Sequence, residues 1–257
     1  LVLLLGALPF AALTAHAESN GFISIDAAVE TDAWYHSAVQ VDGKLLLVSD
    51  EALYAYTPGE ESLQTMFELE TNKLEALGLQ RPLWLFGRDK ALYALSVAEE
   101  GMTLTPVSIQ EDGLQAPDKP IKLPWGEASK RVAPDGGINM PVRVVLLGEH
   151  AHMLFHAWSS SGADQFILSY QMKDGAEPQV REAKHVQHVA PYKEGQLLAL
   201  VIDEANSWDD VNKRQKSADV MAYNLADGSM TMIGSSGQPF RYDENLLYEA
   251  ETDTIYI

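Results

Sequence analysis

Four glycine turns recur along this chain at nearly even intervals, and they constrain its fold more than any other feature. Gly59, Gly113, Gly175 and Gly228 follow Pro58, Asp112, Asp174 and Asp227 and stand 54, 62 and 53 residues apart. Pro-Gly and Asp-Gly pairs supply the left-handed backbone that tight turns between strands require. Ahead of each lies the same order of short apolar or alternating runs, which is the pattern of strands. The clearest unit reads 37–41, a turn at Asp42-Gly43, 44–49, a turn at Asp50-Glu51, 52–56, and then 63–67 beyond Pro58-Gly59. Its first hairpin reappears as 83–86 with 91–95, 142–147 with 153–157, 188–192 with 196–202, and 247–248 with 254–256. A four-stranded meander repeating at this length predicts an all-β chain, an incomplete β-propeller of four-stranded antiparallel blades. Four blades and the start of a fifth are expected. A β-sandwich has a similar strand count, but it does not require the same turn signals in the same order. Residues 70–79 read as a short helical connector.

Residues 1–17 carry no charge and end in Ala15-His16-Ala17, the form of a secretory leader with its cleavage site. The apolar run is shorter than the roughly 20 residues a membrane-spanning helix needs. The reading is therefore a signal peptide over 1–17, a strand or linker over 18–33, and blades over 34–257. The sequence is expected to begin inside the leader and to end inside a blade. Residues 19–29 alternate around Phe22, Ile23 and Ile25 and are expected to give an outer strand to the last blade.

Two segments carry a resemblance. Leu53-Tyr54-Ala55-Tyr56-Thr57-Pro58-Gly59 and Val220-Met221-Ala222-Tyr223-Asn224-Leu225-Ala226-Asp227-Gly228 resemble the hydrophobic-Tyr…Gly end of a blade in PQQ-like and related bacterial propellers. The tryptophan that closes those blades is missing, so the resemblance does not imply quinone binding. The leader, the acidic character and the opening blade are also similar to the N-terminal part of large exported Gram-positive proteins. Some of those carry a solute-binding domain.

Charge narrows the partners. With 37 acidic and 18 basic side chains the formal charge is −19, which excludes electrostatic capture of nucleic acid or of an anionic lipid surface. There is no cysteine, hence no disulfide, no Cys-based zinc site and no lipid anchor at a cysteine. No G-x-S-x-G elbow, H-E-x-x-H, phosphate-binding glycine loop or dinucleotide fingerprint occurs, so no enzyme class is supported.

The candidate site residues are aromatic and basic groups at predicted loop openings: Trp34, Tyr35, Arg81, Trp158, Trp208 and Tyr242, with Arg241 beside the last. Indoles and phenols stack on sugar rings and peptide planes, and guanidinium groups bond to them. The insertion 203–218 carries Asp203, Asp209 and Asp210, oxygen ligands of the kind Ca²⁺ takes, although their spacing departs from the EF-hand loop. His150, His152 and His156 share strand parity but lack an identifiable orienting shell. No cofactor other than Ca²⁺ is suggested. The reading is an exported, non-catalytic recognition module, secreted or held at the cell surface, with a glycan, peptide or protein as partner. The alternatives are an accessory module of an extracellular solute-binding protein and part of a carbohydrate-active hydrolase or lyase.

Overall fold

The computed structural model describes residues 16–17, 23–24, 35–41, 44–56, 64–80, 82–88, 91–110, 113–160, 162–202, 208–209, 214–215, 217–239, 246–250 and 252–256. Strands β1 (His16–Ala17) and β2 (Ile23–Ser24) pair only with each other. Ile23–Ser24, the described part of 19–29, therefore pairs with 16–17 and not with a blade strand.

The first blade runs β3 (Tyr35–Val41), β4 (Lys44–Ser49), β5 (Ala52–Tyr56) and β6 (Gln64–Glu68), neighbours in that order. Helix α1 (Thr71–Ala76) is the expected connector. In the second blade β7 (Trp84–Arg88), β8 (Ala91–Ala98) and β9 (Gly101–Gln110) are followed by an outer strand in two pieces, β10 (Gly113–Gln115) and β11 (Ile121–Pro124). Residues 116–120 on that strand face 105–107 on β9, so two extra residues bulge out where Pro117 and Pro120 cannot donate to the ladder. After a 3-10 turn at Gly126–Ala128 and the short helix α2 (Ser129–Val132) comes the third blade. It comprises β12 (Pro141–Leu147), β13 (His150–Ser159), β14 (Gly162–Gln171) and β15 (Gln179–Glu182).

The fourth blade starts with β16 (Val186–Pro191) and β17 (Gln196–Val201). A small hairpin of β18 (Trp208–Asp209) and β19 (Arg214–Gln215) follows, and then β20 (Ser217–Asn224) and β21 (Met230–Pro239) complete the blade. β22 (Leu247–Glu249) and β23 (Thr254–Tyr256) form the last hairpin. Four four-stranded antiparallel meanders and the opening of a fifth make this an all-β protein of the β-propeller class.

The chain divides into two compact units, one of 1–13, 25–126 and 170–178, the other of 14–24, 127–169 and 179–257. In the first, Val39, Leu46, Val48, Leu53, Leu85, Leu92 and Val107 join the two blades through one buried cluster closed by Leu74 of α1. In the second, β17 shows why blade strands read as unbroken apolar runs. Leu197 and Ala199 face the third blade's Val145, Leu154 and Ile167. Leu198 and Leu200 face the other way, into a cluster with Leu246 and Ile255 of the last hairpin region. With both faces covered, period-two alternation disappears, and each such leucine contributes about 1.5–3 kcal/mol of burial.

Two devices recur. The tyrosine five residues before the turn glycine, Tyr223 ahead of Gly228, donates from its hydroxyl to Glu182 O of β15 at 3.1 Å. In the first unit Tyr170, five before Gly175, donates to Pro124 O of β11 at 3.0 Å. The Tyr…Gly signature is thus a tie from the third strand of one blade to the outer strand of the blade before it. The other device is a bulge near the start of the first strand in three blades. Pairing skips one residue between Tyr35 and Ser37, between Pro141 and Arg143, and between Val186 and His188. Ser37, Arg143 and His188 therefore hold equivalent places. Ser37 uses its own to bind the second blade, donating to Leu85 O at 2.6 Å and accepting from Leu85 N at 3.0 Å.

Candidate functional site

Trp158 is the last residue but one of β13 and is 63% exposed. Strand alternation turns it away from the core that Phe155 and Ala157 occupy. What distinguishes it from a stray surface aromatic is how firmly its backbone is held. Asn139 accepts from Trp158 N at 3.1 Å through Oδ1, while its Nδ2 donates to Val132 O at the end of α2 at 2.8 Å. Asp135 Oδ2 accepts from Ser160 N at 2.6 Å, and Ser159 Oγ donates to Gly162 O at 3.0 Å across the turn. Arg131 grips Asp164 of β14 with Nε and Nη2 at 2.8 and 2.9 Å and lies 4.5 Å over the ring of Phe166. Phe166 in turn stacks on Phe155 at 5.3 Å. The segment 129–139 and the β13–β14 turn are therefore one pinned surface with an indole at its edge and hydroxyl, amide and carboxylate groups around it.

Of the other expected site residues, Tyr35 begins β3, and Trp208 and Asp209 make up β18. Trp34, Arg81, Tyr242, Asp203 and Asp210 lie outside the described residues. Within the insertion 203–218, Trp208–Asp209 and Arg214–Gln215 form the β18–β19 hairpin between β17 and β20, the second and third strands of the fourth blade.

Two of the three histidines of β13 are committed to the fold. His152 Nδ1 shares a hydrogen bond with Ser169 Oγ at 2.8 Å, and His156 Nε2 bonds Val186 O at 2.8 Å. His150 is the first residue of the strand, stacked 6.0 Å from His152. Burial, then the charges of His150 and Arg181, push His152 down to about 4. Among the described residues no group of three His, Asp or Glu side chains is placed to hold a metal ion.

In the first unit, Glu51, Tyr54, Thr65, Glu68 and Glu70 line an open cleft beside β5 and β6. It presents carboxylates without an imidazole, amine or guanidinium. Sequence reasoning passed over Arg143 and Gln187, since an arginine or glutamine inside an apolar run gives no signal of where a bulge will aim it.

No known family matches the sequence, and no curated protein does. Among solved structures, the extracellular domain of the putative one component system BT4673 from B. thetaiotaomicron is 14% identical with a TM-score of 0.43, over 93% of this chain and 27% of that one. The computationally designed Ika4 protein is 8% identical with a TM-score of 0.35, over 80% of this chain and 95% of that one. PorZ, a surface component of the type-IX secretion system of Porphyromonas gingivalis, is 12% identical with a TM-score of 0.30, over 82% of this chain and 29% of that one. The fold class rests on the strand topology itself. Among the described residues no helix is long and apolar enough to cross a membrane.

Proposed function

We propose that the chain is an exported, non-catalytic recognition module that binds a glycan by stacking a sugar ring on Trp158. The observation that carries this reading is a mostly exposed tryptophan on a backbone held by Asn139 at Trp158 N and by Asp135 at Ser160 N. A platform already ordered loses little entropy on binding. Covering the exposed part of an indole removes on the order of 130 Å² from water, worth about 3 kcal/mol before the costs of association. Ser160, Asp135 and Asp164 at the rim suit the hydroxyls of a sugar. Export is supported by the leader at 1–17, and the lack of catalysis by the absence of catalytic motifs from the sequence.

The test is a titration of the protein with a panel of polysaccharides, read by tryptophan fluorescence, alongside a W158A variant and an assay for reducing ends. The reading expects at least one glycan to bind, W158A to weaken it by about tenfold or more, and no new reducing ends. Equal binding by W158A would move the site elsewhere, and preference for peptides over glycans would replace the ligand class. Released reducing ends would make the protein an enzyme.

A further inference from the structure

The chain has eight methionines and no cysteine, and three of its thioethers belong to one patch of the fourth blade. Antiparallel pairing of β20 with β21 sets Met221 directly opposite Met232, Ala222 opposite Thr231 and Tyr223 opposite Met230. Directly paired residues, and residues two apart on one strand, project from the same face of a sheet. Met221, Met230 and Met232 therefore share a face. Packing agrees, because Met221 and Met230 lie against the buried cluster of Val145, Ile167, Leu197 and Ala199 that joins the third and fourth blades. The regular register ends at Met232, since Ile233 is an extra residue bulged out between the pairs Val220–Gly234 and Met221–Met232.

Core packing does not account for all three. Met221 and Met230 are half-buried, but Met232 is 59% exposed on the outer edge strand of the blade. Directly opposed residues stand about 4.5–5.5 Å apart at Cα, and residues two apart on a strand about 6.5 Å. Each thioether sits on an unbranched, freely rotating stem, so sulfurs rooted at these spacings can reach one point above the β20–β21 pair. Asp219, exposed and two residues before Met221, belongs to the same face, opposite Ser235. Its carboxylate puts negative charge beside the sulfurs.

We propose that Met221, Met230 and Met232 form a thioether site for the soft monovalent ion Cu(I). Thioether sulfur is a soft, uncharged donor that favours Cu(I), whereas Ca²⁺ and Mg²⁺ take oxygen. Three sulfurs complete a trigonal shell, a geometry that Cu(I) accepts. A thioether has no proton to release, so binding does not depend on deprotonating a ligand, as it does at a thiolate site. A chain of net charge −19 draws cations toward its surface, and exposed Met232 gives the ion a way in. The ion enters and leaves as Cu(I), and no electron is transferred. The site is on the outer edge of the fourth blade, and the argument for it stands apart from Trp158 and from the glycan reading.

The test is an NMR titration of the methionine methyl signals of the whole chain, assigned by their loss in M221L, M230L and M232L. Silver(I), a redox-stable stand-in, is added first, and then Cu(I) in the absence of oxygen. The proposal expects the signals of Met221, Met230 and Met232 to shift together and to saturate at one ion per chain, with a Kd of about 10 μM or tighter. Met140, which is also exposed, stays still, and zinc and calcium move none of the three. Each Leu variant weakens binding about tenfold or more, while keeping the volume and apolar character of the side chain. If M221L or M230L does not fold, M232L on the exposed edge carries the test alone. No saturable shift with Cu(I), shifts spread over every exposed methionine, or equal binding by M232L overturns the proposal and leaves the three methionines as packing at the blade edge.

Discussion

Lowering the pH from 7 to 5 will destabilise this protein through His152. The imidazole is 5% exposed, bonded to Ser169, and pushed from 6.5 down to about 4 by burial and by the charges of His150 and Arg181. Between those values the unfolded chain binds a proton at this site and the folded one does not, so stability falls as the pH falls. The contribution is intact above about 6.5, is lost progressively down to about 4, and is flat below. At about 1.4 kcal/mol per pH unit the whole window is worth about 3 kcal/mol, of which about 2 kcal/mol is lost between pH 7 and pH 5. His188 is shifted in the same direction and adds to the loss in every variant that keeps it. The perturbation is H152Q, whose amide can still reach Ser169 but cannot titrate. Urea unfolding at the two pH values, followed by fluorescence, then compares the drops. Wild type should lose about 2 kcal/mol more than H152Q over this interval. Equal losses would mean that the His152 ring takes up its proton in the fold as readily as in the unfolded chain, and the reasoning would fail.

The Tyr223 hydroxyl, pushed up to about 12 by burial and satisfied by Glu182 O, makes Y223F a clean deletion of the tie between β20 and β15. Y223F should lower stability by about 1 kcal/mol in the same unfolding assay. G228A should cost about 1–2 kcal/mol, because Gly228 has φ +75° and a Cβ there would stand 3.3 Å from the Tyr223 hydroxyl. N139A removes both the anchor of Trp158 N and the bond to Val132 O. It should speed amide exchange at 157–160 by about tenfold or more while leaving β16 and β17 protected.

The repeat was legible because its punctuation is chemical. Turn glycines and the residues before them mark the end of each third strand, and apolar runs such as 197–200 mark strands covered on both faces. What the sequence hid is register. A bulge at Gln187 or Val142 leaves the apolar pattern of its strand intact, since no face is polar enough to betray a slip of one residue. Arg143 and His188 were therefore invisible as a pair. The broken outer strand of the second blade was signalled by Pro117 and Pro120, and weighing their missing N–H groups would have found it. Trp158 was legible as the end of a second strand, but its anchoring by Asn139 depends on a segment 19 residues away. His150, His152 and His156 shared a face on parity alone, and the partners that hold His152 and His156 come from β14 and β16.

The central claim is that the ligand sits on Trp158, and hydroxyl-radical footprinting with mass spectrometry tests it most directly. In the free protein Trp158, 63% exposed, should oxidise well ahead of Trp125 at 3%, and Met232 of β21, 59% exposed, serves as a reference. Adding the bound glycan should suppress oxidation of Trp158 and leave Met232 unchanged. Trp158 oxidising at the same rate with and without the glycan would contradict the account.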